Sequence, residues 1–188
     1  MRHVIRIYGW PSTTILGCEG AFAACCLALL TDHDLPLQKL CARMIEADTR
    51  HTERMRQIVA AHGWPGTSLV GADGEHAAWL LVQHADDAPD FQELCLGLMN
   101  EANPGDVNVK NRAYLVDRVR VNTHRPQVYG TKFWTDDQGV FGPRPLENAE
   151  TLDERRSSVG LRPFAEYRDQ MLALNQKAEL SRRDTQNP

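Results

Sequence analysis

The sequence predicts a mainly α fold, a compact helical bundle built on a duplicated αα unit with one β-hairpin in the C-terminal half. Three observations predict it. Apolar residues recur at helical spacing along most of the chain, segment 9–48 recurs as segment 63–102, and strand-like alternation is confined to residues 127–142.

The repeat needs no gap. At an offset of 54 positions, Gly9, Trp10, Pro11, Thr13, Gly17, Gly20, Ala23, Ala24, Leu27, Asp32, Gln38, Leu40 and Cys41 fall on Gly63, Trp64, Pro65, Thr67, Gly71, Gly74, Ala77, Ala78, Leu81, Asp86, Gln92, Leu94 and Cys95. Chance supplies about two such identities at ordinary residue frequencies. The copies differ where it matters for chemistry: Gln83 and His84 of the second stand where the first has Leu29 and Leu30. Two copies are too few for a solenoid, which is why a bundle is expected.

In chain order, residues 1–8 lead into the first Gly-Trp-Pro turn, and Gly20 to Leu30 is apolar nearly all round, as in a buried helix. Asp32-His33-Asp34 breaks it. A longer helical pattern starts near Leu35 with Leu37, Leu40, Cys41, Met44 and Ile45 on one stripe. A pause is expected near Asp48, with Asp48 or Thr49 capping a second part that carries Met55, Ile58, Val59 and His62. Gly63 stops it and Pro65 prevents continuation. The second copy follows with a helix from about Gly74 to His84, a turn holding Asp86, Asp87 and Pro89, and a helix with Phe91, Leu94, Cys95, Leu98 and Met99 that stops at Asn103-Pro104-Gly105. Another helix runs from about Val109 to Asn122. Gln127 to Trp134 alternates loosely, Thr135 to Gly139 is turn-rich, and Val140-Phe141 resumes, which predicts the hairpin. Asp153 to Arg156 lies on a short helix. Pro163 opens a last helix to about Leu180, and the polar tail 181–188 is expected to be disordered, leaving 1–180 as a single domain.

Composition narrows the function. A chain of 188 residues, 42% hydrophobic, can bury one core. Its net charge of −4 argues against general binding of nucleic acid or anionic membranes, and no stretch reaches the roughly 18 apolar residues of a membrane span. The five cysteines (Cys18, Cys25, Cys26, Cys41 and Cys95) are odd in number and form no C-x-x-C pair, which fits reduced thiols in a cytoplasmic protein. Ile15-Leu16-Gly17-Cys18 resembles a lipoprotein cleavage site, but the same register recurs inside the chain as Leu69-Val70-Gly71-Ala72, so it reads as part of the fold.

Candidate chemistry centres on the second copy. Ala77, Leu80, Leu81 and His84 recur at i, i+3, i+4 and i+7, so His84 continues an apolar stripe, and Gln83 follows His76, Trp79 and Leu80 on the adjoining one. An imidazole so placed suits a general base, because burial and neighbouring charges move its pKa across neutrality. A core histidine bonded to backbone is the alternative. Asp117 and Arg118, with Tyr114 one turn earlier, pair a second base candidate with a planar fork suited to carboxylate or phosphate. Tyr129-Gly130-Thr131-Lys132 puts a phenol, a hydroxyl and an ammonium on the expected hairpin, where they are placed to close over a pocket. Arg155 and Arg156, with Arg162 nearby, add anion recognition or end a solvated helix. His62 suits a helix C-terminus. No spacing of His, Cys, Asp or Glu fits a metal site, and no cofactor is indicated.

These motifs together resemble an uncharacterised bacterial family: His-Gly-Trp-Pro at 62–65, Val-Gly at 70–71, Ala-Trp-Leu-Leu-Val-Gln-His-Ala-Asp at 78–86, Tyr-Leu-Val-Asp-Arg-Val at 114–119, Gln-Val-Tyr-Gly-Thr at 127–131 and Asp-Glu-Arg-Arg-Ser-Ser-Val-Gly-Leu at 153–161. The resemblance spans roughly residues 51–174. It implies that Gln83, His84, Asp117, Arg118, Tyr129, Thr131, Arg155 and Arg156 form one constellation, and it names no reaction. Lys132 departs from it, since Gln is expected after Tyr-Gly-Thr.

The expected function is general acid/base chemistry, hydrolysis or elimination, on a small anionic or amide-bearing substrate. His84, Asp117 and Tyr129 are the catalytic candidates, and Gln83, Arg118, Thr131, Lys132, Arg155 and Arg156 the substrate-binding ones. The alternative is a non-catalytic helical protein whose groove takes a peptide or carboxylate ligand. An enzyme should place His84 within hydrogen-bond reach of a closed cavity with Asp117 or Tyr129 nearby, and an interaction module should show an open apolar groove instead; His84 packed against apolar neighbours with both nitrogens bonded to backbone would exclude the catalytic assignment.

Overall fold

The computed structural model describes residues 37–186, so the expected Gly20 to Leu30 helix and most of the first repeat copy lie outside the described residues. Six α-helices follow in order: α1 (Leu37–His62), α2 (Thr67–Gln83), α3 (Pro89–Glu101), α4 (Val109–Asn122), α5 (Leu152–Ser158) and α6 (Phe164–Gln186). A two-stranded antiparallel hairpin, β1 (Phe133–Thr135) and β2 (Phe141–Pro143), lies between α4 and α5. None of these helices is long and apolar enough to cross a membrane.

The main core forms where the apolar stripes of the first four helices meet. Met55 and Val59 of α1, Ala78, Trp79 and Val82 of α2, Phe91, Cys95 and Met99 of α3, and Leu115 and Val119 of α4 are all buried in one cluster. Their i, i+4 spacing puts each set on one helix face. A second cluster joins Phe133 of β1 to Tyr167 and Met171 of α6. The rings of Tyr114 and Tyr167 meet edge to face at 6.5 Å and connect the two.

Two helices depart from the expected boundaries. The first runs through Asp48 without a pause, and Thr49 caps nothing: its hydroxyl donates to the carbonyl of Ile45, one turn back. α2 begins at Thr67, earlier than expected, and breaks inside at Gly71, whose φ of 75° and ψ of 169° are non-helical. Asp106 holds its start, accepting from the backbone N–H of Ser68 at 2.6 Å. At the far end, α6 continues to Gln186, past the point where a disordered tail was expected, because Ser181 to Gln186 contains no glycine or proline to stop it.

The hairpin differs more. The expected strand starting at Gln127 is a strand only from Phe133, paired Phe133 to Pro143, Trp134 to Gly142 and Thr135 to Phe141. Residues 127–132 form a loop because their backbone donors are used elsewhere. Asp117, fully buried, accepts from the backbone N–H groups of Val128 (2.7 Å), Tyr129 (2.9 Å) and Thr131 (2.8 Å) and from the Thr131 hydroxyl (2.9 Å). The loop carbonyls are held from the other side: Arg155 Nε donates to the Val128 carbonyl at 2.9 Å, and the buried Arg156 donates to that of Tyr129. Gln127, also fully buried, accepts from the Lys132 N–H and donates to the carbonyls of Lys132 and Arg144. Gly130 sits at φ 68°, and a Cβ there would come within 2.8 Å of the Phe164 ring, so both conformation and space demand glycine.

This loop predicts the response to losing its anchor. Asp117→Ala leaves three backbone N–H groups without their acceptor, that of Thr131 buried and those of Val128 and Tyr129 part-buried, and a buried one costs about 1–3 kcal/mol. Urea unfolding is expected to show a loss of at least about 3 kcal/mol; a loss below about 1 kcal/mol would mean that the arginines and Gln127 hold the loop unaided.

Candidate functional site

The site is assembled by the end of α2, the face of α4 and the last residue of the caged loop. Gln83 closes α2 and is fully buried. Its side-chain oxygen accepts from Arg118 Nε of α4 at 3.3 Å and from Lys132 Nζ of the loop at 3.4 Å. Two cations on one oxygen settle the orientation of the amide, since the flipped form would turn its NH2 against both. The Gln83 nitrogen then finds no acceptor among the described residues.

His84 is the C-cap of α2, half-buried, and its imidazole makes no hydrogen bond among the described residues. A helix C-terminus favours a protonated imidazole. Here burial, followed by the charge of Arg118, outweighs that and, with Lys132 adding to them against the opposing carboxylate of Asp86, pushes the pKa down to about 4. The ring is therefore neutral at pH 7.

Asp86, in the turn after α2, closes the other flank. It pairs with Arg118 Nη1 at 3.2 Å and accepts from Asn122 Nδ2 at 2.9 Å. Asn122 also donates to Gln92 at 2.8 Å, and Gln92 donates to the Val82 carbonyl at 3.0 Å, so α2, α3 and α4 are tied at one level. Asp48 of α1 faces the same turn. Burial, then the carboxylates of Asp86 and Asp87, push its pKa up to about 6.

A family model for a family of unknown function (DUF6624) matches residues 27–176. The chain belongs to this family. No curated protein and no solved structure matches it. Membership in DUF6624 covers α1 to most of α6, so the whole assembly described above lies within the family's domain.

The structure divides the sequence candidates into two groups. Gln83, His84, Arg118 and Lys132 converge on one buried polar cluster. Asp117, Thr131, Arg155 and Arg156 instead hold the loop that delivers Lys132, with Arg156 also lying 5.0 Å over the Tyr167 ring. Tyr129 takes part through its backbone, donating to Asp117 and accepting from Arg156. His62 ends α1 at the surface, and Arg162 reaches Gln170 at 3.2 Å. A surface depression lined by Thr67, Ser68 and Asn103 to Asp106 lies at the opposite end of α2 from the cluster. Asp86, Gln92 and Asn122 were not singled out from sequence. Asp86 and Gln92 had a signal, because each matches the residue 54 positions earlier, Asp32 and Gln38.

The two shifted groups act on stability with opposite sign. His84 takes up its proton near 6.5 in the unfolded chain and at about 4 in the fold, so stability is full above that window and falls as pH drops through it. Asp48 is protonated at about 6 in the fold and near 3.8 unfolded, so its contribution falls as pH rises through nearly the same range. Asp48→Asn removes only the second effect. Urea unfolding at neutral and acid pH is expected to show a gain of about 1 kcal/mol near neutrality, after screening, and a steeper loss on acidification than the native chain; equal acid slopes would contradict the raised pKa of Asp48, and an Asp48→Asn chain that loses no stability on acidification would contradict the lowered pKa of His84.

Proposed function

We propose that this chain is a small enzyme performing general acid/base chemistry, hydrolysis or elimination, on a small anionic or amide-bearing substrate bound beside α2, α4 and the 127–132 loop. The observation that carries the reading is the Gln83 carboxamide, fully buried, with its oxygen held by two cations and its nitrogen without an acceptor among the described residues. A buried N–H left unpaired costs about 1–3 kcal/mol, and a substrate carbonyl or carboxylate oxygen would remove that cost on binding.

In this reading Arg118 and Lys132 supply the charge that attracts an anion, Gln83 orients it, and His84 moves the proton. A neutral imidazole is in the correct form to accept one. An anion seated against Arg118 and Lys132 cancels the cations that depress the pKa of His84, so binding itself raises the basicity of the ring. Asp117, Thr131, Tyr129, Arg155 and Arg156 serve by positioning Lys132. The reading places the chain in a reducing, cytosolic setting, to which the buried free thiol of Cys95 is suited.

Among the described residues the His84 ring makes no hydrogen bond to backbone, which supports this reading over the non-catalytic helical module. His84→Leu, which installs the residue found in the first repeat copy, is expected to fold and to match or exceed native stability while abolishing turnover in a screen of small amides and carboxylates. A destabilisation above about 2 kcal/mol would show that the imidazole satisfies buried partners, and the interaction module would then be the better reading.

A further inference from the structure

Beside the apolar core, a line of polar and aromatic side chains runs along the contact between α2 and α4. Glu75, Trp79 and Gln83 recur at i, i+4 and i+8 on α2, and Asn111, Tyr114 and Arg118 meet them from α4. At one end Glu75 is buried and satisfied, accepting from Asn111 Nδ2 at 3.1 Å and from the Asn108 N–H at 3.3 Å. At the other end is the Gln83 cluster. Between them Trp79 lies tilted against His76 at 5.1 Å and meets Tyr114 edge to face at 6.2 Å, and its indole N–H, like the Gln83 amide, is buried without an acceptor among the described residues. His76 and Tyr114 are themselves half-buried, so the shell around the indole reaches solvent.

Trp64 Nε1 is a third buried donor without an acceptor among the described residues, but those of Trp79 and Gln83 stand one helical turn apart on a single face, a spacing that two acceptors of one ligand would fit. Four residues of α-helix rise about 6 Å. The Gln83 end carries two cations and suits a carboxylate. The Trp79 end carries only a neutral donor, and Glu75 one turn further on repels a second negative charge.

We infer that Trp79 forms a second subsite, so that the substrate is a carboxylate that also bears an amide carbonyl about 6 Å away, received by the indole N–H. This rests on the reading of the Gln83 cluster as an anion site and narrows it: the anionic and amide groups belong to one molecule, and Trp79 selects for the second. Discrimination of this kind is strong because a site built to bond a polar group is left unpaired by an analogue that lacks it.

The test uses the native chain, labelled with nitrogen-15, and four probes: butyrate, N-acetyl-β-alanine, N-acetyl-γ-aminobutyrate and adipate. Each is expected to move the Gln83 side-chain NH2 resonances. One or both N-acetylated acids should also move the Trp79 indole resonance downfield and bind about tenfold tighter than butyrate, a gain that adipate does not share and that Trp79→Phe loses. N-acetylated acids that perturb Gln83 but leave the Trp79 indole unmoved, and bind no tighter than butyrate, overturn the subsite while leaving the anion site standing. If no probe moves the Gln83 resonances, the anion site itself fails and the subsite with it.

Discussion

Everything near the candidate site depends on one buried carboxylate. Asp117 accepts four hydrogen bonds from a stretch of four residues, Val128 to Thr131, and so converts what would pair as a strand into a closed loop. A buried carboxylate is stable when its lone pairs are filled in this way. The same bonds occupy both of its oxygens. The loop is gripped on its carbonyl side by Arg155 and Arg156, so donors and acceptors of one short segment are satisfied by charged side chains of opposite sign from two helices. Charge-assisted bonds are the stronger kind, and they suit a segment that must hold a buried lysine in place.

The consequence reaches the site through Lys132. It is buried, its backbone is fixed by Gln127, and its ammonium reaches the Gln83 oxygen shared with Arg118. The cluster thus gathers two cations, a half-exposed aspartate paired with Arg118, and a neutral imidazole around one carboxamide. The lysine stands where the family resemblance leads one to expect glutamine. A glutamine there would keep a donor toward Gln83 and remove one positive charge, while the bonds that tie residue 132 to Gln127 run through its backbone N–H and carbonyl.

Legibility in the sequence followed the range of the interaction. The four core helices were readable because their stripes repeat at i, i+3 and i+4, and α3 and α4 were found within a residue or two of their ends. The missed pause in α1 and the displaced start of α2 are local decisions between a side-chain cap and a continued helix, which packing against the rest of the bundle settles. The hairpin was recognised in place but not in extent. Alternation from Gln127 to Trp134 reads as a strand, and only the approach of Asp117, ten or more positions earlier, takes the N–H groups out of the ladder.

By itself the sequence determined the helical class, the position of the hairpin, family membership and the set of polar residues worth attention, because periodicity, turn chemistry and ordered motifs are properties of near neighbours in the chain. The division of labour within that set was decided only by tertiary structure. Asp117, Arg155 and Arg156 have the same residue chemistry whether they meet a substrate or a loop backbone, and Gln83 and His84 become a candidate site only when α4 and the loop bring Arg118 and Lys132 to them. Such contacts join residues 35 and 49 positions apart, and nothing in local sequence specifies which donor will face which acceptor across that distance.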